Sequence, residues 1–280
     1  MKKSSSHYRH GFLGAGKMAQ ALLKGLLKSG LARPQDVLVS RKSKAELARL
    51  GRELKVATTA DNLELAAGCR WIWLGIKPFQ AREVLTEIAP ALPKDAVVLS
   101  MLAGISCKTL RRWLGAGPGL VRFMPNTPAL IGQGMTGVYF DPKVKPATRR
   151  ETLRILDALG ETLEVKNEAR LDAVTGLSGS GPAFVYYLAD ALAEGGRQAG
   201  LKMSEARRLA YQTLRGAVGL LQSTGLAPEE LIAQVVSKGG TTEAGLKVLS
   251  DAKVAEKVSR AVARASRRAT EIKEQNECSR

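Results

Sequence analysis

Histidine is almost missing from this chain: of 280 residues only His7 and His10 carry an imidazole, and both stand in the first ten. Everything after residue 10 lacks the base of a Ser-His-Asp or Cys-His relay, and lacks the imidazoles from which many zinc cages are built. Cysteine is nearly as scarce. Cys69, Cys107 and Cys278 are odd in number and far apart, which argues against a disulfide framework or a metal site. The apolar stretch Trp71-Ile-Trp-Leu-Gly-Ile76 is only strand-sized and stops at Lys77-Pro78, whereas a membrane-spanning helix needs about 20 apolar residues. Residues 1–6 begin basic but lead into no apolar segment, so no secretory signal is read there; the expected location is cytoplasmic, with no membrane partner. Acidic side chains are also few, 26 against 43 basic, leaving a formal charge of +17. The cations are spread in pairs such as Arg149-Arg150 and Arg267-Arg268 and do not form one block with interleaved aromatics. The reading is a solvated basic surface, with no nucleic-acid partner expected.

What is present has a clear order. The length suggests two domains. Up to about residue 165, short apolar runs (11–13, 37–39, 71–76, 96–99 and 120–124) alternate with amphipathic stretches (18–27, 44–50, 79–88 and 107–114). That alternation predicts a parallel sheet with helices on both faces. After Glu168 the strand signal stops, and residues 171–175, 182–199, 204–221, 228–236, 242–249 and 252–272 all read as helix. The expected fold is α/β: an N-terminal Rossmann-type doubly wound sheet in residues 1–166, then an all-helical C-terminal dimerisation domain in residues 167–280. Ser204 is the expected cap of its helix. The helix over 182–199 is apolar almost all round, so it must be covered on every side. A homodimer through the C-terminal helices would cover it, and a central place in a monomeric bundle is the alternative.

Gly14-Ala-Gly16-Lys-Met-Ala19 has the form G-x-G-x-x-A between a strand and a helix. Gly14 permits the tight turn, Gly16 a close approach of backbone to pyrophosphate, and Ala19 close packing of helix on sheet; Ala15, Lys17 and Met18 complete the loop. The next strand ends in Ser40-Arg41-Lys42-Ser43, where an NAD-preferring site would carry Asp or Glu. Two cations and two hydroxyls suit a 2′-phosphate instead, so NADPH is expected, with NADH as the alternative. A merely basic helix start is the competing explanation. Gly75-Ile76-Lys77-Pro78, Ala103-Gly104 and the Asn126 turn between Pro125 and Pro128 follow later strands, where loops border a cofactor crevice.

Two further glycine runs lie in the helical half, residues 172–184 and Ser237-Lys-Gly-Gly-Thr-Thr242. Each sets close-approach glycines before a helix start, which suits a small anion such as a carboxylate substrate. For Ser178-Gly-Ser-Gly181 the alternative is tight packing against another helix.

With these blocks in view, the chain resembles the Δ1-pyrroline-5-carboxylate reductase family. The resemblance rests on the G-x-G-x-x-A opening, Lys77-Pro78, Ala103-Gly104, residues 124–128, residues 172–183, and Gly239-Gly-Thr-Thr242 followed by Gly245-Leu246. It implies reduction of the cyclic imine to L-proline by NAD(P)H, and a helical dimer that often assembles further into a decamer. It also implies that Asn62 meets the cofactor and that the hydroxyl of Thr242 meets the ring nitrogen of the substrate. Ser237, Gly240 and Thr241 would hold the substrate carboxylate, and Glu168 would lie near it. Three departures are visible: Lys238 where the family usually has proline, Gln234 for an asparagine, and Arg9-His10 in place of apolar residues, which suggests a frayed or solvated start to the first strand.

No histidine is needed for such chemistry, because a protonated imine is already an electrophile and the site need only hold it in attack geometry. Threonine is a poor acid, so Thr242 is assigned orientation first and proton donation second. A 3-hydroxyacid dehydrogenase would place a lysine on the helix after the second glycine turn, and no lysine occurs between Ser180 and Leu201. A non-enzymatic NADP-binding protein would leave both later glycine blocks without a purpose.

Overall fold

The computed structural model describes residues 8–278; the basic opening of residues 1–6, with His7, lies outside them. Strands and helices alternate first: β1 Tyr8–Leu13, α1 Lys17–Lys28, β2 Val37–Ser40, α2 Lys44–Leu54, β3 Ala57–Thr59, α3 Asn62–Gly68, β4 Cys69–Leu74, α4 Ala81–Ile88, β5 Val97–Ser100 and α5 Cys107–Leu114. There follow β6 Gly119–Met124, β7 Gly134–Phe140, α6 Pro146–Asp157 and β8 Gly160–Glu164. Only helices come after that: α7 Arg170–Val174, α8 Gly181–Gln198, α9 Met203–Thr224, α10 Pro228–Val235, α11 Thr241–Asp251 and α12 Val254–Cys278. The strands form one eight-stranded sheet in the order β3-β2-β1-β4-β5-β6-β7-β8. It is not wholly parallel as the alternation predicts: β6 and β7 run antiparallel, because a short connection without a crossover helix joins them.

Both faces of the sheet are covered, and the apolar runs have no polar alternation for that reason. Successive residues of β4 point to opposite cores. Trp71 and Trp73 join Phe12, Leu22 and Phe123 on one face, while Ile72 and Leu74 join Leu13, Leu65 and Val98 on the other. Trp73 stacks on Phe12 with ring centroids 5.8 Å apart and meets Phe123 edge-on at 5.8 Å.

Gly179 and Ser180 mark the division between two compact units. One holds the chain up to Gly179 together with residues from Ala265 onward; the other is Ser180–Arg264. Within the second unit, α8 is far less covered than its composition demands. Only Ala189 and Ala193 are buried, while Tyr186 and Tyr187 are 62% and 77% exposed. One chain therefore leaves this apolar helix open. The cap of α9 is also not Ser204: Lys202 precedes the helix, and the Glu205 carboxylate accepts from the Lys202 N–H at 2.9 Å. No helix among the described residues is long and apolar enough to cross a membrane.

The start of β1 is not frayed, and of its two unusual residues only Arg9 is solvated. His10 pairs in register with Val37 on one side and Trp71 on the other, and it is fully buried. Trp73 Nε1 donates to His10 Nδ1 at 3.3 Å, so the remaining proton sits on Nε2, which has no partner among the described residues. Burial, aided by the charge of Arg9 and opposed by Asp36, lowers the His10 pKa from 6.5 to about 4. The unfolded chain thus takes up this proton first as the pH falls. His10 leaves stability untouched above 6.5, lowers it between 6.5 and about 4, and adds nothing further below. Urea unfolding should show about 2 kcal/mol lost through this group between about pH 7 and about pH 5. The His10→Gln variant should lose that much less over the same interval; an equal loss would assign the slope to other groups.

Candidate functional site

The candidate residues fall in both units, and each set is described within its own. In the first unit the loops after β1 and β4 meet backbone to backbone. Gly14 has φ +82°, and a Cβ there would stand 2.9 Å from the Gly75 carbonyl; a Cβ on Gly75 would stand 2.5 Å from Gly14 O and 2.6 Å from Ala19 Cβ. Gly14 N donates to Ser40 O at 3.0 Å and Gly75 N to Leu13 O at 2.8 Å. Gly14, Gly75 and the small Ala19 are thus required by the protein's own packing. Gly16 is different: a Cβ there would find its nearest neighbour at an ordinary 3.5 Å, so the protein's own packing does not require a glycine at this place.

Helix α1 begins directly after Gly16. Helices α2, α3 and α5 open on the capping side chains of Ser43, Asp61 and Ser106, but α1 has no side-chain cap and no acidic residue in its first turn. Its first N–H groups, on Lys17 and Met18, are left for an anion. The loop itself is held by Ala15 O, which accepts from Gln20 Nε2 at 2.8 Å and from Arg41 Nη1 at 2.7 Å. In front of it lies an open groove of about 810 Å³ that takes in residues 15–20, Arg41, residues 75–78 and Ala103. Glu46 and Arg49, which local motifs in the sequence do not single out, line it as well.

The other expected cofactor residues separate into two groups. Ser40 is buried and donates through Oγ to Asn62 Oδ1 at 3.0 Å, so these two are brought together but do not line the groove. Lys42 is exposed. No carboxylate ends β2; the nearest acidic partner there is Glu46, whose Oε2 lies 2.6 Å from Arg41 Nη2. A bare helix start, a glycine with outward room and a surplus of cations fit a phosphorylated dinucleotide. Gly104 and Asn126 are taken up elsewhere. At Gly104 (φ +71°) the side chain of Ile272 fills the place of a Cβ, and Asn276 Nδ2 donates to Gly104 O at 3.0 Å. Asn126 accepts from Met135 N at 2.9 Å and donates to Ser178 Oγ at 3.2 Å, which ties together the β6–β7 turn and the first glycine block.

Glu168 is engaged too. Its Oε1 accepts from Arg122 Nη1 at 2.7 Å and from Cys107 N at 2.6 Å, with the Arg122 side chain only 3% exposed. Burial, then the nearby Glu168 charge, pushes the Cys107 thiol up, and burial pushes the Cys69 thiol up to about 12; neither is a nucleophile near neutral pH. Gly176 serves packing, since a Cβ there would meet the backbone of Ser266 at 2.6 Å, whereas a Cβ on Gly179 would make only an ordinary contact at 3.7 Å. Asp172 beside it is buried and accepts from Lys273 at 2.5 Å and Thr270 at 3.1 Å. Among the described residues no three His, Cys, Asp or Glu side chains are grouped to hold a metal.

In the second unit, Ser237 to Gly240 form a turn with Gly239 at φ +74° and Gly240 N donating to Ser237 O at 2.9 Å. Helix α11 follows with Gly240 at its cap and no capping side chain, so Thr241 and Thr242 stand in a first turn with open N–H groups. Thr242 is half-buried and Lys238 exposed. The Gly239 N–H of this turn is already used, donating to Glu243 Oε2 at 2.6 Å.

Comparison with known proteins gives the same outline. Residues 168–272 match the family model described as pyrroline-5-carboxylate reductase dimerisation, and residues 9–104 match that described as NADP oxidoreductase, coenzyme F420-dependent. A relative from Pseudomonas aeruginosa named pyrroline-5-carboxylate reductase is 37% identical over 95% of this chain and 97% of its own. A pyrroline-5-carboxylate reductase structure from Coxiella burnetii superimposes with a TM-score of 0.88 at 31% identity, covering 95% of this chain and 98% of its own. A pyrroline carboxylate reductase from Plasmodium falciparum, solved with NADP bound, gives 0.86 at 27% identity, covering 96% and 99%.

Gly75 and Gly16 should respond in opposite ways to a methyl group. Gly75→Ala should lower stability by about 2 kcal/mol or more in urea unfolding, because its methyl has only backbone to push against. Gly16→Ala should cost under about 1 kcal/mol yet weaken NADP⁺ binding on the order of tenfold, read by calorimetric titration. Equal effects of the two on stability would refute the distinction. Glu168→Ala should cost about 3 kcal/mol by stranding Arg122, whatever happens to substrate affinity.

Proposed function

The chain belongs to the pyrroline-5-carboxylate reductase family, and on that premise we infer that it reduces Δ1-pyrroline-5-carboxylate to L-proline with NADPH as the preferred reductant. The observation that carries the cofactor reading is the bare start of α1 beside Gly16, facing a groove whose charged lining is mostly cationic. Bound there, the dinucleotide supplies a hydride from C4 of its nicotinamide to the imine carbon, while the ring nitrogen keeps the proton of the protonated imine. The chain's own part is to bind and orient. The N–H groups of Lys17 and Met18 would hold the pyrophosphate, Arg41 and Lys42 would offer their charge to the 2′-phosphate, and Asn62, held by Ser40 behind the groove lining, would serve the adenosine half. Ile76 to Pro78 and Ala103 border the nicotinamide half.

The substrate carboxylate falls to Ser237, Gly240 and Thr241 at the start of α11, and the ring nitrogen to the Thr242 hydroxyl. Glu168 lies near the substrate on this reading, with its Oε1 committed to Arg122 and the start of α5 and its Oε2 left for other contacts. Residues 1–166 then carry the cofactor role and residues 167–280 the dimerisation and substrate roles, a division of labour that differs from the compact units, in which residues up to Gly179 and from Ala265 onward go together. The exposed apolar face of α8 supports a homodimer through the C-terminal helices, with five such dimers closing a decamer. The location proposed is the cytoplasm, with neither a nucleic acid nor a membrane expected as a partner.

Loss of absorbance at the reduced nicotinamide band, followed with pyrroline-5-carboxylate and NADPH or NADH, tests the reading. Oxidation faster with NADPH is expected, and none with either cofactor from folded protein would refute it. Thr242→Ala should lower kcat/KM at least tenfold, about 1.4 kcal/mol; a change within threefold would remove Thr242 from the ring nitrogen. Light scattering should give a multiple of the 30.0 kDa chain mass, even in number.

A further inference from the structure

Arg41 is the cation that the end of β2 offers to a 2′-phosphate, yet its guanidinium is already engaged on two sides. Nη1 donates to Ala15 O at 2.7 Å, and Nη2 lies 2.6 Å from Glu46 Oε2. Glu46 belongs to the first turn of α2, where its own N–H is given to the capping Ser43 hydroxyl at 3.4 Å, so the carboxylate is presented from a fixed backbone. Both side chains line the groove and both keep partial exposure, 29% for Arg41 and 40% for Glu46. A phosphate reaching Arg41 must displace that carboxylate or lie beside it, and two anions at one guanidinium repel each other.

Resting on the reading of this groove as the dinucleotide site, we infer that Glu46 sets the choice between the two nicotinamide dinucleotides by acting through Arg41. It is a positioning residue: it holds the guanidinium against Ala15 and competes with the 2′-phosphate for the same N–H groups. The preference for the phosphorylated form is thereby held down. An unphosphorylated ribose meets no such competition, and its hydroxyl finds in Glu46 the kind of acceptor that NAD-preferring sites supply. Specificity is a difference between two affinities, and Glu46 is the repulsive element in that difference.

Calorimetric titration of the full chain with adenosine 2′,5′-bisphosphate and with 5′-AMP, at one fixed salt concentration, reads the effect without turnover. Glu46→Gln keeps the length and the helix start but removes the charge. It should raise the ratio of the two affinities roughly fivefold, mainly by tightening the bisphosphate. Arg41→Ala should lower the ratio on the order of tenfold, and Glu46→Gln should add nothing in that background. A ratio in Glu46→Gln within twofold of wild type overturns the inference, as does an effect that persists undiminished without Arg41. Wild-type NADPH turnover run alongside separates the two readings. Turnover with an unmoved ratio overturns the role of Glu46 alone, whereas neither binding nor turnover overturns the groove's assignment and this role with it.

Discussion

The phosphate-loop end of the sheet depends on the meeting of two bare backbones, Gly14 and Gly75, just past the ends of neighbouring strands β1 and β4. Any side chain on either would push the two loops apart. Their contact lets Ala19 seat α1 against the sheet, and so decides where the first turn of α1 points. Arg41 and Gln20 then fasten the loop through Ala15 O. The direction of this uncapped helix start is thus a by-product of sheet packing, set by covalent backbone and not by mobile side chains.

Charge is managed in the same economical way. The protein carries +17, yet its buried ionic groups are few and paired: Arg122 with Glu168, Asp172 with Lys273. Each pair joins chain segments far apart in sequence, 46 and 101 residues respectively. A pair of this kind adds little net stability but penalises every arrangement that strands one partner. Both fasten the region just after β8, where the chain changes from strands to helices. The aromatic group around Trp73 accommodates His10 on different terms, as a neutral ring that accepts one hydrogen bond.

Legibility in the sequence followed local period and local shape. The run through Trp71 to Leu74 is plain because both faces of β4 are buried, and the G-x-G-x-x-A loop is plain because its chemistry lies within six residues. Strands β3 and β8 give no such signal: Ala57–Thr59 is too short and only partly covered, and Gly160–Glu164 alternates exposed with half-covered residues at the sheet edge. Glycine at Gly134 and Gly137 hides β7 in the same way. Among site residues, those whose role depends on backbone shape could be placed from the motif. Those whose role depends on a distant partner could not. Nothing near Glu168 announces Arg122, nothing near Gly104 announces Asn276, and Glu46 looks like an ordinary acidic residue in a helical first turn. Helix α8 shows the converse: its composition speaks of burial that a single chain does not provide.

Helix α12 begins in the second compact unit and ends in the first, where its last turns cover Gly104, Gly176 and Asp172. The polypeptide therefore enters the dinucleotide-binding unit twice, and no single cut in the chain separates the two units. A fragment stopped after Gly179 would keep every strand of the sheet and the whole phosphate loop. It would also carry a bared carboxylate at Asp172 and two glycine hollows with no helix to fill them. In this fold residues from Ala265 onward are structural members of the first unit, so that unit is completed by chain that follows the second.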